Sequence, residues 1–162
     1  IHRVKESTDI PVVTAEPWYI WLSHPGLAQA VDLIFVNVYP YWDGISIDDA
    51  AEYVFAKWQL IKEAFPDKEV IIGETGWPTE GDRNGKSVPS EENQKEFLSR
   101  FLTLNQAHNA RYFLFEVYDE KWKDKYEGTV GSHWGLYHSN GSMKPLLNDL
   151  APPEAHVATE RH

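Results

Sequence analysis

Four apolar runs separated by helical stretches constrain this chain more than any other feature of its sequence. The runs cover residues 10–16, 32–39, 69–74 and 111–118, and each is rich in β-branched or aromatic residues. The second, Asp32-Leu33-Ile34-Phe35-Val36-Asn37-Val38-Tyr39, is apolar at nearly every position, as a strand covered on both faces should be. Ile47, Ala50, Ala51, Val54, Trp58, Ile61 and Phe65 then recur at helical spacing behind Ser46 and Asp49, which fit a capping box, and Pro66 stops the helix. Ser90 is placed to cap a further helix, with Glu91 and Glu92 in its first turn and Phe97, Phe101 and Leu104 on its buried face. Ser23, with Pro25 two residues on, predicts a short helix through Leu27 to Val31. Strands alternating with helices predict an α/β fold of parallel strands joined by right-handed crossovers.

The remaining segments are connections. Residues 17–22 and 40–44 read as aromatic loops, residues 80–89 as a polar loop turned by Gly81, Asp82, Asn84 and Gly85, and residues 121–143 as a long irregular segment. Residues 1–8 read as the last turns of a helix, residues 144–150 as a short closing helix, and residues 151–162 as a flexible tail. Residues 1–150 are thus expected to form one domain. No apolar run approaches the roughly 20 residues of a spanning helix, and no basic leader with an apolar core precedes the first strand.

Polar and aromatic residues gather where the runs end: Glu16 with Trp18, Asn37 with Tyr39, Glu74 with Trp77, and Glu116 with Asp119 and Glu120. In a parallel sheet all four ends lie on one rim, and that rim is where α/β folds place their chemistry. A strand-end Glu74 also serves simply to cap the next loop, but chance would scatter carboxylates and aromatics over both ends of the strands. An indole beside a carboxylate is a common way to hold a sugar ring, so the rim predicts a carbohydrate site around Glu74, with Trp77 as an exposed aromatic. Trp18, Trp21 and Trp42 either line that groove or cover an open sheet edge.

Other chemistries fit less well. A net charge of −10 with no basic block argues against nucleic acid and against an anionic membrane surface. The chain has no cysteine, and its seven histidines are scattered without zinc-type spacing, so neither metal nor cofactor is expected.

With these residues assembled, the chain resembles the carboxyl-terminal half of family 17 glycoside hydrolases, (β/α)8 barrels that hydrolyse or transfer β-1,3-glucan. The resemblance rests on Val70-Ile71-Ile72-Gly73-Glu74-Thr75-Gly76-Trp77-Pro78-Thr79, on Asn37-Val38-Tyr39-Pro40-Tyr41, on residues 115–123 and on Trp134-Gly135-Leu136-Tyr137. Thr14-Ala15-Glu16-Pro17-Trp18 looks more like the bacterial branch than the plant one. The resemblance implies a (β/α)4 half of a TIM barrel acting on a β-glucan or oligosaccharide. It makes Glu74 the nucleophile of a retaining mechanism, places Glu120 and Lys123 in support, and puts Asn37, Tyr39, Trp77, Glu16, Trp18, Glu116 and Trp134 against the sugar.

The resemblance also has a gap. Retaining hydrolysis uses two carboxyl groups about 5–5.5 Å apart. The family keeps its acid/base in an Asn-Glu pair at the end of the fourth barrel strand, and no Asn-Glu pair occurs in these 162 residues. Glu16, Glu116 and Glu120 are the candidates to replace it. A full barrel takes about 250 residues, so the open half is expected to form a homodimer or to associate with a missing half-barrel. Weak activity on activated glucosides is one expectation; a binding or scaffold module, or a fragment of a larger barrel enzyme, is the alternative.

Overall fold

The computed structural model describes residues 1–150; the expected tail, residues 151–162 with His156 and His162, lies outside the described residues. Four strands, β1 (Ala15–Pro17), β2 (Ile34–Asn37), β3 (Val70–Thr75) and β4 (Tyr112–Leu114), form one parallel sheet in the order β1-β2-β3-β4. Sequential parallel neighbours need a crossover between each pair. Helices α2 (Trp18–Ser23) and α3 (Pro25–Ala30) supply the first, α4 (Ile47–Ala64) the second and α5 (Glu91–His108) the third. A single turn, α1 (His2–Lys5), precedes them. The expected irregular segment contains 3-10 turns at Lys121–Lys123 and Gly128–His133 around the short helix α6 (Asp124–Glu127), and the closing helix is a 3-10 turn at Pro145–Leu150. Among the described residues no helix is long and apolar enough to cross a membrane.

The core fills the space between one face of the sheet and the two long helices. Ile34, Val36, Val70 and Ile72 from the strands meet Val54, Trp58 and Ile61 of α4 and Phe97 and Phe101 of α5, all buried. Each such side chain contributes roughly 1.5–3 kcal/mol relative to exposure. The cap of α5 forms as the sequence predicts: the Ser90 hydroxyl accepts from Asn93 N–H at 3.0 Å, a contact of a kind that contributes about 1 kcal/mol. The capping box of α4 does not form. Ser46 Oγ instead donates to the Asp49 carboxylate at 2.7 Å, because the acid is the stronger acceptor within reach.

Three boundaries differ from expectation. The first strand enters the ladder only at Ala15, because Val12 N–H is taken by the Asp32 side chain. The fourth leaves the sheet after Leu114: the backbone of Glu116 and Val117 bonds instead with Trp134, Leu136 and Tyr137. Residues 17–22 are not a loop. They wind into α2, which buries Trp21 completely, and its indole N–H donates to the Glu16 and Phe35 carbonyls at 3.1 Å. Trp21 is therefore core rather than groove.

The opposite face of the sheet lacks such a cover. Phe35 and Phe113 pack together there at 5.7 Å, and Phe113 remains 55% exposed. The ladder slips by one residue on this face. Val36 pairs with Ile72, but Asn37 pairs with Glu74, leaving Gly73 over. A Cβ at Gly73 would sit 2.7 Å from Asn37 Oδ1 and 2.9 Å from Phe35 Cβ. Only glycine fits beside those two side chains.

Candidate active site

That slip places Glu74. Residues paired across a parallel ladder point to the same side, so Glu74 joins Asn37 on the open face instead of Ile72 in the core. Its Oε2 accepts from Asn37 Nδ2 at 2.9 Å and from the Tyr39 hydroxyl at 2.6 Å. Burial and the hydrogen bond to Glu74 push the Tyr39 phenol far above its ordinary range, so it stays a donor at every working pH. The carboxylate opens into a cavity of about 350 Å³ lined by Tyr39, Trp42, Phe115, Tyr126 and Glu127. A neighbouring hollow of about 250 Å³, lined by Trp18, Tyr19, Asn37 and Asp43, shares Tyr39 and Trp42 with it. Trp18 is held there by its N–H to Asp43 at 3.2 Å and by Lys57 Nζ 3.7 Å above its ring.

Beside the cavity stands a charged cluster. Lys123 is buried and bonds to Glu116, and its ammonium lies 3.1 Å from Glu120 and 4.3 Å from the centre of the Phe115 ring. Burial works against the ammonium, but the two carboxylates outweigh it and hold Lys123 above its ordinary pKa. The same contact holds Glu120 below the usual carboxylate range. Glu120 is thus an anion bound to Lys123, unlike a general acid.

Three expected sugar contacts lie elsewhere. Trp77 is 1% exposed; its indole stacks on Phe97 at 6.2 Å, its N–H donates to the Val88 carbonyl at 3.1 Å, and its own carbonyl accepts from Gln94. The turn after Gly76 carries the ring to the helix side of the sheet, where the large apolar surface is buried. Trp134 is fully buried too, packed edge-on against Tyr39 and Phe115 at 5.4 and 5.9 Å, so it backs the cavity wall without lining it. Glu16 pairs with Val36, a core-facing residue, and therefore points to the helix face, where it accepts from Thr14 and borders a shallow depression with His24 and Leu27.

Sequence reasoning passed over Tyr126 and Glu127. They lie in the irregular segment, and the signal was the triplet Tyr126-Glu127-Gly128, an aromatic and a carboxylate before a turn. Burial pushes the Glu127 carboxyl up against the pull of Lys123 and the Trp134 indole, and the Glu74 charge adds a smaller push.

Comparison with known proteins places this geometry. Residues 2–135 match the model of the BtgE/BtgC glycoside hydrolase domain. The chain is similar to the putative glucan endo-1,3-beta-glucosidase btgC of Aspergillus niger, 32% identical, over 89% of this chain and 23% of that protein. It also matches the crystal structure of a glycoside hydrolase family 17 beta-1,3-glucanosyltransferase from Rhizomucor miehei, with 31% identity and a TM-score of 0.80 over 89% of this chain and 53% of the other. An active-site mutant of that enzyme, in complex with laminaritriose, matches with 31% identity and a TM-score of 0.79 over the same shares. The chain spans about half the length of these solved barrels and under a quarter of the Aspergillus protein. A four-stranded parallel wall carrying its carboxylate on the rim, matched over residues 2–135, shows that the chain belongs to the BtgE/BtgC glycoside hydrolase domain family and forms part of a family 17 barrel.

Proposed function

We propose that this chain carries the nucleophile side of a retaining site for β-1,3-glucan, with Glu74 as the nucleophile in hydrolysis or glucosyl transfer. The observation that supports this most directly is the pair of donors, Asn37 and Tyr39, converging on Glu74 Oε2 at the mouth of an aromatic cavity. With Oε2 held, Oε1 is the oxygen available to attack the anomeric carbon. The C–O bond to the leaving group breaks as a glycosyl ester forms on Glu74. An activated leaving group departs as its anion, and a sugar oxygen takes its proton from an acid/base carried by the other part of the barrel. Water or a sugar hydroxyl, giving its proton back to that base, then displaces the ester with overall retention. Tyr39 and Asn37 stabilise the carboxylate again as it is released. Lys123, with Glu116 and Glu120, adds a fixed charge array behind Phe115, and Trp18 and Trp42 supply flat apolar surface for neighbouring sugar rings.

Incubation with an activated 2-fluoro-β-glucoside, followed by intact mass and peptide mapping, is expected to find one glucosyl adduct on Glu74. Binding of laminaritriose without an adduct would instead support a binding module formed by the same aromatics. The absence of both adduct and binding overturns the carbohydrate reading.

The bare face around Phe35 and Phe113 is read as the seat of a second (β/α)4 unit, either another copy or the remainder of a longer barrel. For residues 1–162 alone, multi-angle light scattering is expected to give twice the chain mass; a sharp monomer peak across the accessible concentration range sinks the homodimer.

A further inference from the structure

Glu127 shares the Glu74 cavity, yet the reaction proposed above gives it no part. Its place is built rather than incidental. It ends α6, and the turn that follows through Gly128 is pinned on both sides: Asp124 Oδ1 accepts from Ser132 N–H at 2.8 Å, and Thr129 Oγ1 accepts from Asp82 N–H at 2.8 Å. Gly131 lies so close to Lys123 that a Cβ there would meet its carbonyl at 2.6 Å. The groups facing the carboxyl are few. Lys123 and the Trp134 indole N–H, which is fully buried and makes no hydrogen bond of ordinary geometry, favour its charge, and Glu74 repels it. The remaining walls are the rings of Tyr39, Trp42, Phe115 and Tyr126.

Glu74 already receives two donors on one oxygen. The Lys123 cation is already committed to Glu116 and Glu120. Burial among the aromatic walls outweighs the pull of Lys123 and of the Trp134 N–H and pushes the Glu127 carboxyl up.

We propose that Glu127 is a positioning residue of this site, a neutral carboxylic acid that donates its O–H to a hydroxyl oxygen of the bound glucan. It holds the ring against Glu74 and keeps the cavity at a single negative charge. This rests on the reading of Glu74 as nucleophile, and two independent measurements separate them.

The first needs no ligand. Protein carrying carboxyl-labelled glutamate is titrated by NMR, with the Glu127 resonance assigned by its loss in Glu127→Gln. It is expected to titrate above the ordinary value of about 4.3. A midpoint at or below that value overturns the proposal. The second is laminaritriose binding, followed by tryptophan fluorescence across the same pH range. The wild type is expected to lose about three- to tenfold in affinity as pH rises through the Glu127 titration, the amount of one hydrogen bond. Glu127→Gln, which keeps a donor but carries no titrating group, is expected to bind with no such fall, and Glu127→Ala to bind weakly throughout. A fall that persists in Glu127→Gln, or no binding at the low end of the range, overturns the donor role. Labelling of Glu74 by the 2-fluoro glucoside reports on the nucleophile separately. Its failure beside a normal Glu127 titration and binding profile removes the nucleophile reading alone.

Discussion

Glu74→Gln is expected to lower turnover of a dinitrophenyl β-glucoside by at least about 10³-fold, equivalent to roughly 4 kcal/mol of transition-state stabilisation. The substitution is nearly isosteric. The amide oxygen still accepts from Asn37 Nδ2 or the Tyr39 hydroxyl, so the rim keeps its shape and the circular dichroism spectrum should not change. What disappears is the negative oxygen that forms the ester bond. An activated leaving group makes the comparison clean, because its departure needs no proton and the rate reports the nucleophile alone. Glu74→Ala adds a positive signature. Azide filling the vacated space is expected to attack from the nucleophile's side and yield the α-glucosyl azide. Turnover within tenfold of wild type in Glu74→Gln would show that this carboxylate does not form the bond.

Trp77→Ala is expected to destabilise the fold by about 3–5 kcal/mol, which for a chain of this size is on the order of 6–20 °C in Tm. The indole fills the layer between β3 and α5 against Phe97, with Tyr41 edge-on at 6.4 Å. Its loss leaves a cavity that the stacked Phe97 and Phe101 close only by shifting, and it leaves the Val88 carbonyl with the Asn93 amide as its remaining side-chain donor. Urea denaturation with an unchanged m-value measures this directly. A variant of normal stability whose laminaritriose affinity drops would return Trp77 to the groove.

The contrast between these two neighbouring residues marks what the sequence reveals. β3 was legible because an unbroken apolar run reads the same whichever face is inward, and α4 and α5 were legible because their apolar stripes span five turns. Direction was not legible. Gly76 lets the backbone pass against the Phe115 carbonyl, which leaves no room for a Cβ, and nothing in Gly-Trp-Pro says which side the ring will take. Glu16 failed for a related reason: a strand of period two assigns a side only once its partner is known, and Val36 is that partner. Trp18 and Trp21 were three residues apart, a helical spacing too short to stand out among aromatics. Glu127 lay where no period exists, and only the packing of Thr129, Asp124 and Gly131 brings it to the rim.

The one-residue slip beside Gly73 has a consequence for how such a site varies between relatives. Pairing along β3, as much as the identity of residue 74, decides whether the acid meets the open cavity or the hydrophobic interior. Were β3 to alternate regularly through Gly73, Glu74 would share the side of Ile72 and turn inward; the unpaired residue is what carries it to the side of Asn37. How the strand pairs at this position, and not the residue count alone, places the acid.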